Sequence, residues 1–147
     1  MKRFLAAFVG ASTLAFALTS TSYAQQPMKA EVLHWWTSGG QAAGVKVFAE
    51  AFKAAGGQWV DNAIANPDQA RSIGINRVVA GDPPTMMQMN AGRQFEELVD
   101  QGLLRNLDAI AEAEGWKAVL PADVLKAVSR NGHIYAVPVS IQTPNWL

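Results

Sequence analysis

Short, nearly continuous apolar runs alternate along this chain with longer stretches whose apolar residues recur at helical spacing. Residues 30–36 carry Val32, Leu33, Trp35 and Trp36 with little interruption, the pattern of a strand covered on both faces. From about Gly39 to Ala55, Val45, Phe48, Ala49 and Phe52 fall at i, i+3, i+4 and i+7, which is one stripe of a helix. Ser38 and Gln41 have capping-box spacing at its start, and Gly56-Gly57 can end it in the left-handed conformation. A second strand is expected over 58–64, carried by Trp59, Val60 and Ile64. Asn66, Pro67 and Asp68 then read as cap, first-turn proline and first-turn acid of a helix reaching Ala80, which 81–84 (GDPP) stops. Residues 85–89 supply a third strand, and 94–101 a helix with Phe95, Leu98 and Val99 inward and Gly102 as its stop.

This order, β-α-β-α-β, predicts parallel strands in one sheet with helices on both faces, because such crossovers are right-handed. Ligands of such sheets sit outside the carboxyl ends of the strands. Those ends are Trp36 with Thr37, Ala63 to Asn66, and Met89 to Gly92. Beyond them the pattern is less regular, with short helices expected over 107–114 and 121–128. Asn131-Gly132 is the strongest short hairpin signal. Residues 133–139 alternate as a strand in which Pro138 marks an edge or a place where pairing ends.

The first residues change the picture of where the protein works. Lys2 and Arg3, an uncharged run from Phe4 to Leu18, and small residues at the outer positions of Ser22-Tyr23-Ala24 make 1–24 a secretory signal peptide, with Gln25 as the new N-terminus. The run is short against the roughly 20 residues of a membrane span; an uncleaved anchor is the alternative. Lys2 and Arg3 leave with the signal and no acid does, so 12 acidic residues face two fewer basic ones than the 12 of the whole chain, a formal charge of −2. That gives no field for nucleic acid. With no cysteine, disulfides and thiolate chemistry are excluded and packing must supply stability. The ending Pro144-Asn145-Trp146-Leu147 is apolar, as though an element were interrupted.

The candidate chemistry is a binding site. Trp35 and Trp36 stand at a strand end, where an indole can stack on a sugar ring or another flat ligand; filling a core is the alternative. Alternation along a strand sends neighbouring side chains to opposite faces, so one of the pair is expected at an edge. Gln41 can hydrogen-bond a hydroxyl, or serve only the capping box. Asn90, after the third strand, offers donor and acceptor to hydroxyls, or serves as a helix N-cap, and the two roles can coexist. Gly39-Gly40 lacks the further glycines or the Lys-Ser/Thr pair of a nucleotide loop. His34 and His133 are too few for a zinc site and read as a strand residue and a hairpin residue. No serine lies in a nucleophile elbow, and Glu96-Glu97 and Glu112 with Glu114 are solvated helix surface. A secreted enzyme on such a sheet would need a nucleophile, metal or cofactor motif that is not found.

With these residues in view, the chain resembles the N-terminal part of an extracellular sugar-binding protein of an ABC importer, in the solute-binding protein family 1, and within it the glucose- or mannose-binding branch. The resembling segments are EVLHWWTSGG (31–40), AAGGQWVD (54–61), VAGDPPT (79–85), QGLL (101–104), AEGW (113–116) and YAVPV (135–139). The resemblance implies a periplasmic-binding-protein-like α/β lobe with a parallel βαβαβ core, incomplete, with 25–147 as the N-terminal part of the first of two lobes. It implies non-covalent binding of a monosaccharide in the cleft between lobes, no cofactor, no catalysis, and delivery to permease subunits in the inner membrane by a monomer. The family's aromatic pair falls on Trp35 and Trp36. Its first-helix acid falls on Gln41, the polar residue after its third strand on Asn90 with Gln88 two residues before, and the His-Arg pair of the branch on Gln142-Thr143. The expected ligand-binding residues are therefore Trp35, Trp36, Gln41, Gln88, Asn90 and Gln142. A truncated remnant without later strands is the competing reading, and one part-lobe alone should bind weakly.

Overall fold

The computed structural model describes residues 28–140. The expected signal peptide, Gln142 and the apolar ending lie outside the described residues. The chain runs β1 (Lys29–His34), α1 (Gly39–Ala54), β2 (Gln58–Ala63), α2 (Pro67–Val79), β3 (Met86–Met87), α3 (Arg93–Asp100), α4 (Asp108–Ala113), α5 (Trp116–Val119), α6 (Ala122–Ala127), β4 (Ser129–Arg130) and β5 (His133–Ile134). The expected βαβαβ unit is thus present, as a parallel sheet in the order β2-β1-β3.

Register sorts the side chains between two faces. Ala30, Val32 and His34 stand opposite Trp59, Asp61 and Ala63, and this face meets α1. Leu33 stands opposite Asn62 and Met87, and that face meets α2. Leu33, only 2 % exposed, lies at the centre of the packing, and burying such a side chain is worth about 2 kcal/mol. Gly74 lets α2 close on it, since a Cβ there would come within 2.9 Å of Leu33 Cδ2. Asn66 caps α2 as expected, its side-chain oxygen accepting the N–H groups of Asp68 and Gln69, each at 3.0 Å.

The third strand is shorter than the sequence predicts, and the reason is local. Pro83 and Pro84 cannot donate to a ladder and bar its extension before Thr85, and backbone pairing with β1 is confined to Val32 with Met86 and Leu33 with Met87. Side chains supply the flanking rungs. Thr85 Oγ1 accepts the Glu31 N–H at 3.1 Å and Gln88 Oε1 accepts the Trp35 N–H at 3.0 Å. On the α2 face, Arg77 pairs with Glu31, its Nη2 at 3.1 Å from Oε2. The Arg77 hydrogen bond holds the Glu31 carboxyl below the usual range, against a smaller upward push from desolvation.

The remaining elements form a second small cluster, with Ala111, Val128 and Ile134 buried among Leu107, Trp116, Leu125 and Ala136. Asn131 (φ 53°) and Gly132 (φ 83°) turn the β4-β5 hairpin, both with the positive φ that the tightest hairpin turn requires. The strand after the turn ends at Ile134, with one further bond from the Tyr135 N–H to Val128 C=O at 3.0 Å, short of the expected strand over 133–139. Arg130 ties the hairpin to α3 through Asp100 at 2.7 Å and Glu96 at 2.9 Å. Helix α5 has no counterpart in the sequence expectations, because four residues are too few to show a period. Among the described residues no helix is long and apolar enough to cross a membrane.

Candidate ligand-binding site

The site is built where β1 ends, and the ending can be followed bond by bond. Leu33 C=O accepts the Gln88 N–H at 2.8 Å, and His34 C=O accepts the Ile64 N–H at 2.8 Å. The Trp35 N–H goes to the Gln88 side chain. Trp35 C=O then accepts the Thr37 N–H at 3.0 Å, a three-residue turn centred on Trp36. The chain thus leaves the sheet between the two tryptophans. Both indoles are half-buried, and they diverge. Trp36 lines a groove of about 330 Å³ between α1 and the sheet, with His34, Thr37, Lys46, Trp59 and Asp61 also on its walls. Trp35 is not among the groove's lining residues.

Three carboxamides follow the strand ends. Gln88 is half-buried beside Trp35, while Gln41 and Asn90 are exposed. The capping box expected of Ser38 and Gln41 is not formed. Ser38 is the N-cap of α1 in an extended conformation but makes no side-chain cap bond. The cause is Gly39, whose φ of +57° departs from the helical value a first-turn residue normally has and carries Ser38 out of line with the N–H groups it would serve. Asn90 is not a cap either, because the N-cap position of α3 falls on Gly92, which has no side chain to offer. Neither Gln41 nor Asn90 has a hydrogen-bond partner among the described residues. Both are left to solvent or to a ligand. Gln142 lies outside the described residues.

Sequence reasoning missed the polar floor of the groove. His34 Nε2 lies 2.8 Å from Asp61 Oδ1, and Trp59 Nε1 donates to the same oxygen at 3.2 Å. Partial burial pushes the Asp61 carboxyl up, but the bonds from His34 and Trp59 outweigh it and hold the group below the usual carboxylate range. An ionised Asp61 makes Nε2 the donor. His34 is 5 % exposed, and its Nδ1 has no partner among the described residues. The available signal was the alternation of Trp59 and Asp61 on one face of β2, which identifies a partner only once the β1-β2 register is known. His133 is the hairpin residue expected. Its Nδ1 is 2.6 Å from Asp108 Oδ2, and Asp108 Oδ1 accepts the Ile134 N–H at 2.8 Å. Among the described residues no three potential metal ligands come together.

This parallel α/β half-sheet, with polar amides and indoles at its carboxyl end, has counterparts among known proteins. No family model matches the chain. It is 37% identical over 139 residues to a protein of Brucella melitensis named probable sugar-binding periplasmic protein, covering 93% of this chain and 33% of the relative. A protein of Rhizobium meliloti with the same name is 34% identical over 142 residues, covering 95% of this chain and 34% of the relative. An ABC transporter extracellular-binding protein of Pyrococcus horikoshii is 29% identical, covering 86% and 30%. The chain therefore spans about a third of the length of the curated relatives it matches.

In fold it is similar to an ABC substrate-binding protein of Listeria monocytogenes solved with cycloalternan, with a TM-score of 0.60 at 17% identity, covering 74% of this chain and 28% of that one. An extracellular solute-binding protein family 1 structure from Alicyclobacillus acidocaldarius gives 0.56 at 21% identity, covering 78% and 28%. The resemblance to family 1 solute-binding proteins and the α/β lobe expected of it are borne out, and the names of these relatives are those of binding proteins rather than enzymes.

Proposed function

We propose that this chain forms one wall of the sugar site of a periplasmic binding protein serving an ABC importer, and that the sugar is a monosaccharide of the glucose or mannose type. Residues 1–24 direct export to the periplasm, and the loaded protein, a monomer without cofactor, delivers its sugar to permease subunits in the inner membrane. Trp36 or Trp35 stacks on the ring, whose C–H faces match an indole. Gln41, Gln88, Asn90 and Gln142 hydrogen-bond hydroxyls, and no bond is made or broken. The observation that carries this reading is the pair of exposed carboxamides, Gln41 and Asn90, beyond the strand ends, each without a partner among the described residues and neither in the capping role that would explain it. The names of the relatives support sugar as the ligand class.

The test is calorimetric titration of glucose, mannose and a panel of other sugars into the protein made from the natural reading frame, beside Trp36→Ala. Loss of a stacked aromatic costs about 1–3 kcal/mol of binding, taking base stacking as a guide, so the variant should bind at least about fivefold more weakly. No heat with any sugar, or an affinity that ignores the substitution, refutes the site.

A further inference from the structure

We infer that Gln88 is a positioning residue for the Trp35-Trp36 turn, one that spends its carboxamide oxygen on the end of β1 and turns only N–H donors toward a ligand. This rests on the reading that the carboxyl ends of β1 and β3 bind sugar. The orientation of a carboxamide is often ambiguous, but here chemistry fixes it. The atom 3.0 Å from the Trp35 N–H faces a main-chain donor and must be the acceptor oxygen.

The bond also has a definite place in the ladder. Leu33 C=O already accepts the Gln88 N–H at 2.8 Å, so in a continuing parallel pair the Trp35 N–H would next reach the main-chain carbonyl of Gln88. The side-chain oxygen of the same residue takes that rung instead. The backbone of β3 is thereby released toward Asn90 while β1 stays pinned up to Trp35, one residue before it turns at Trp36. The Gln88 amide nitrogen has no partner among the described residues. A ligand beside the strand ends therefore meets donors there, which suit a hydroxyl or ring oxygen acting as acceptor.

Two substitutions separate the parts. Gln88→Asn keeps the amide but is one methylene too short to reach Trp35, whereas Gln88→Glu keeps an acceptor at full length and loses the donors. Hydrogen exchange at the Trp35 amide in the full chain should accelerate about fivefold in Gln88→Asn, the effect of one net hydrogen bond, and stay within about twofold of wild type in Gln88→Glu. Sugar affinity should fall in both. Unchanged Trp35 exchange in Gln88→Asn overturns the positioning role, as does equal acceleration in both variants. Wild-type affinity in Gln88→Glu overturns the donor role. If Gln88→Asn does not fold, a native Gln88→Glu supports the clamp and an unfolded one refutes it. A wild-type protein that binds no sugar, with exchange following the expected pattern, defeats the proposed function and leaves the clamp standing.

Discussion

Replacing Gly74 by alanine tests how closely α2 is seated behind the site. In a helix interior the change is worth up to about 1 kcal/mol in favour of alanine. Against it stands contact: the added Cβ would lie 2.9 Å from Leu33 Cδ2, 3.1 Å from Met87 Sδ and 3.3 Å from Met87 Cε, where carbon atoms prefer roughly 3.5–4.0 Å. Met87 is half-buried and unbranched and can yield. Leu33, at 2 % exposed, has nowhere to go. Overpacking of this kind costs about 1–3 kcal/mol, so Gly74→Ala should range from neutral to about 2 kcal/mol destabilising. A neutral result alone would decide little, and Gly44→Ala in α1 supplies the reference, because nothing lies within 4 Å of a Cβ there. That variant should gain about 1 kcal/mol, and the difference between the two, roughly 1–3 kcal/mol, isolates the contact. Urea denaturation with an unchanged slope measures both. Combining Gly74→Ala with Leu33→Ala should recover the propensity gain, since the two residues are in contact and should not act additively. Equal stabilisation by Gly74→Ala and Gly44→Ala would refute the packing argument, and with it the claim that α2 fixes Leu33, two residues before Trp35, and Met87, one before Gln88.

Two further outcomes follow from named contacts. Asn66→Ala removes the acceptor of two first-turn N–H groups of α2 and should cost about 1 kcal/mol, with Asn66→Asp restoring it; an Ala variant as stable as wild type in the same denaturation would show the cap to be idle. The Ile134 backbone N–H, His133 and Asn106 together lower the Asp108 carboxyl from 3.8 to about 2. A depressed folded value stabilises fully above the unfolded one and loses that stabilisation as the pH falls through the folded one, so the Asp108 share is lost between about pH 4 and pH 2. Asp108→Asn should flatten the fall of the melting temperature over that window, and parallel curves for variant and wild type would remove Asp108 from the account.

How much was legible varied with how local the cause was. The N-cap at Asn66, the stops at Gly56, Gly81 and Gly102 and the turn at Asn131-Gly132 depend on a few adjacent residues, and all six of these positions have the positive φ or the cap bond that sequence implied or allowed. The parallel sheet with helices on both faces followed from the alternation of strands and helices, which needs only the order of elements. Strand lengths were less readable. β1 was expected to reach Trp36 and ends at His34, because its last rungs depend on what β3 offers, and β3 offers a side chain. The capping box failed for a subtler reason: its spacing was present, but Gly39 adopts a conformation that spacing does not encode. The His34-Asp61 pair joins residues 27 apart in sequence and becomes visible only in the parallel register.

Those failures bear on the site itself. Had the capping box formed, Gln41 would be explained by helix stability alone, and had Asn90 capped α3, so would it. Gly39 and Gly92, both at positive φ, occupy the helix starts in ways that relieve Gln41 and Asn90 of those duties. Gln88 was expected among the residues that hydrogen-bond the ligand, and one end of its carboxamide is committed to Trp35. On the proposed reading, the chain's share of the site is the Trp36 indole on the wall of a groove and three amides, of which Gln88 is held by a hydrogen bond to the end of β1. Enclosure is what gives such groups affinity, since a bound ligand is typically buried over most of its surface. Exposed amides with solvent on the other side exchange one hydrogen-bond partner for another at little net gain. On the proposed reading, binding strength must therefore come from whatever closes over Gln41 and Asn90, while the choice of which hydroxyls are read belongs to the donors and acceptors beyond β1 and β3.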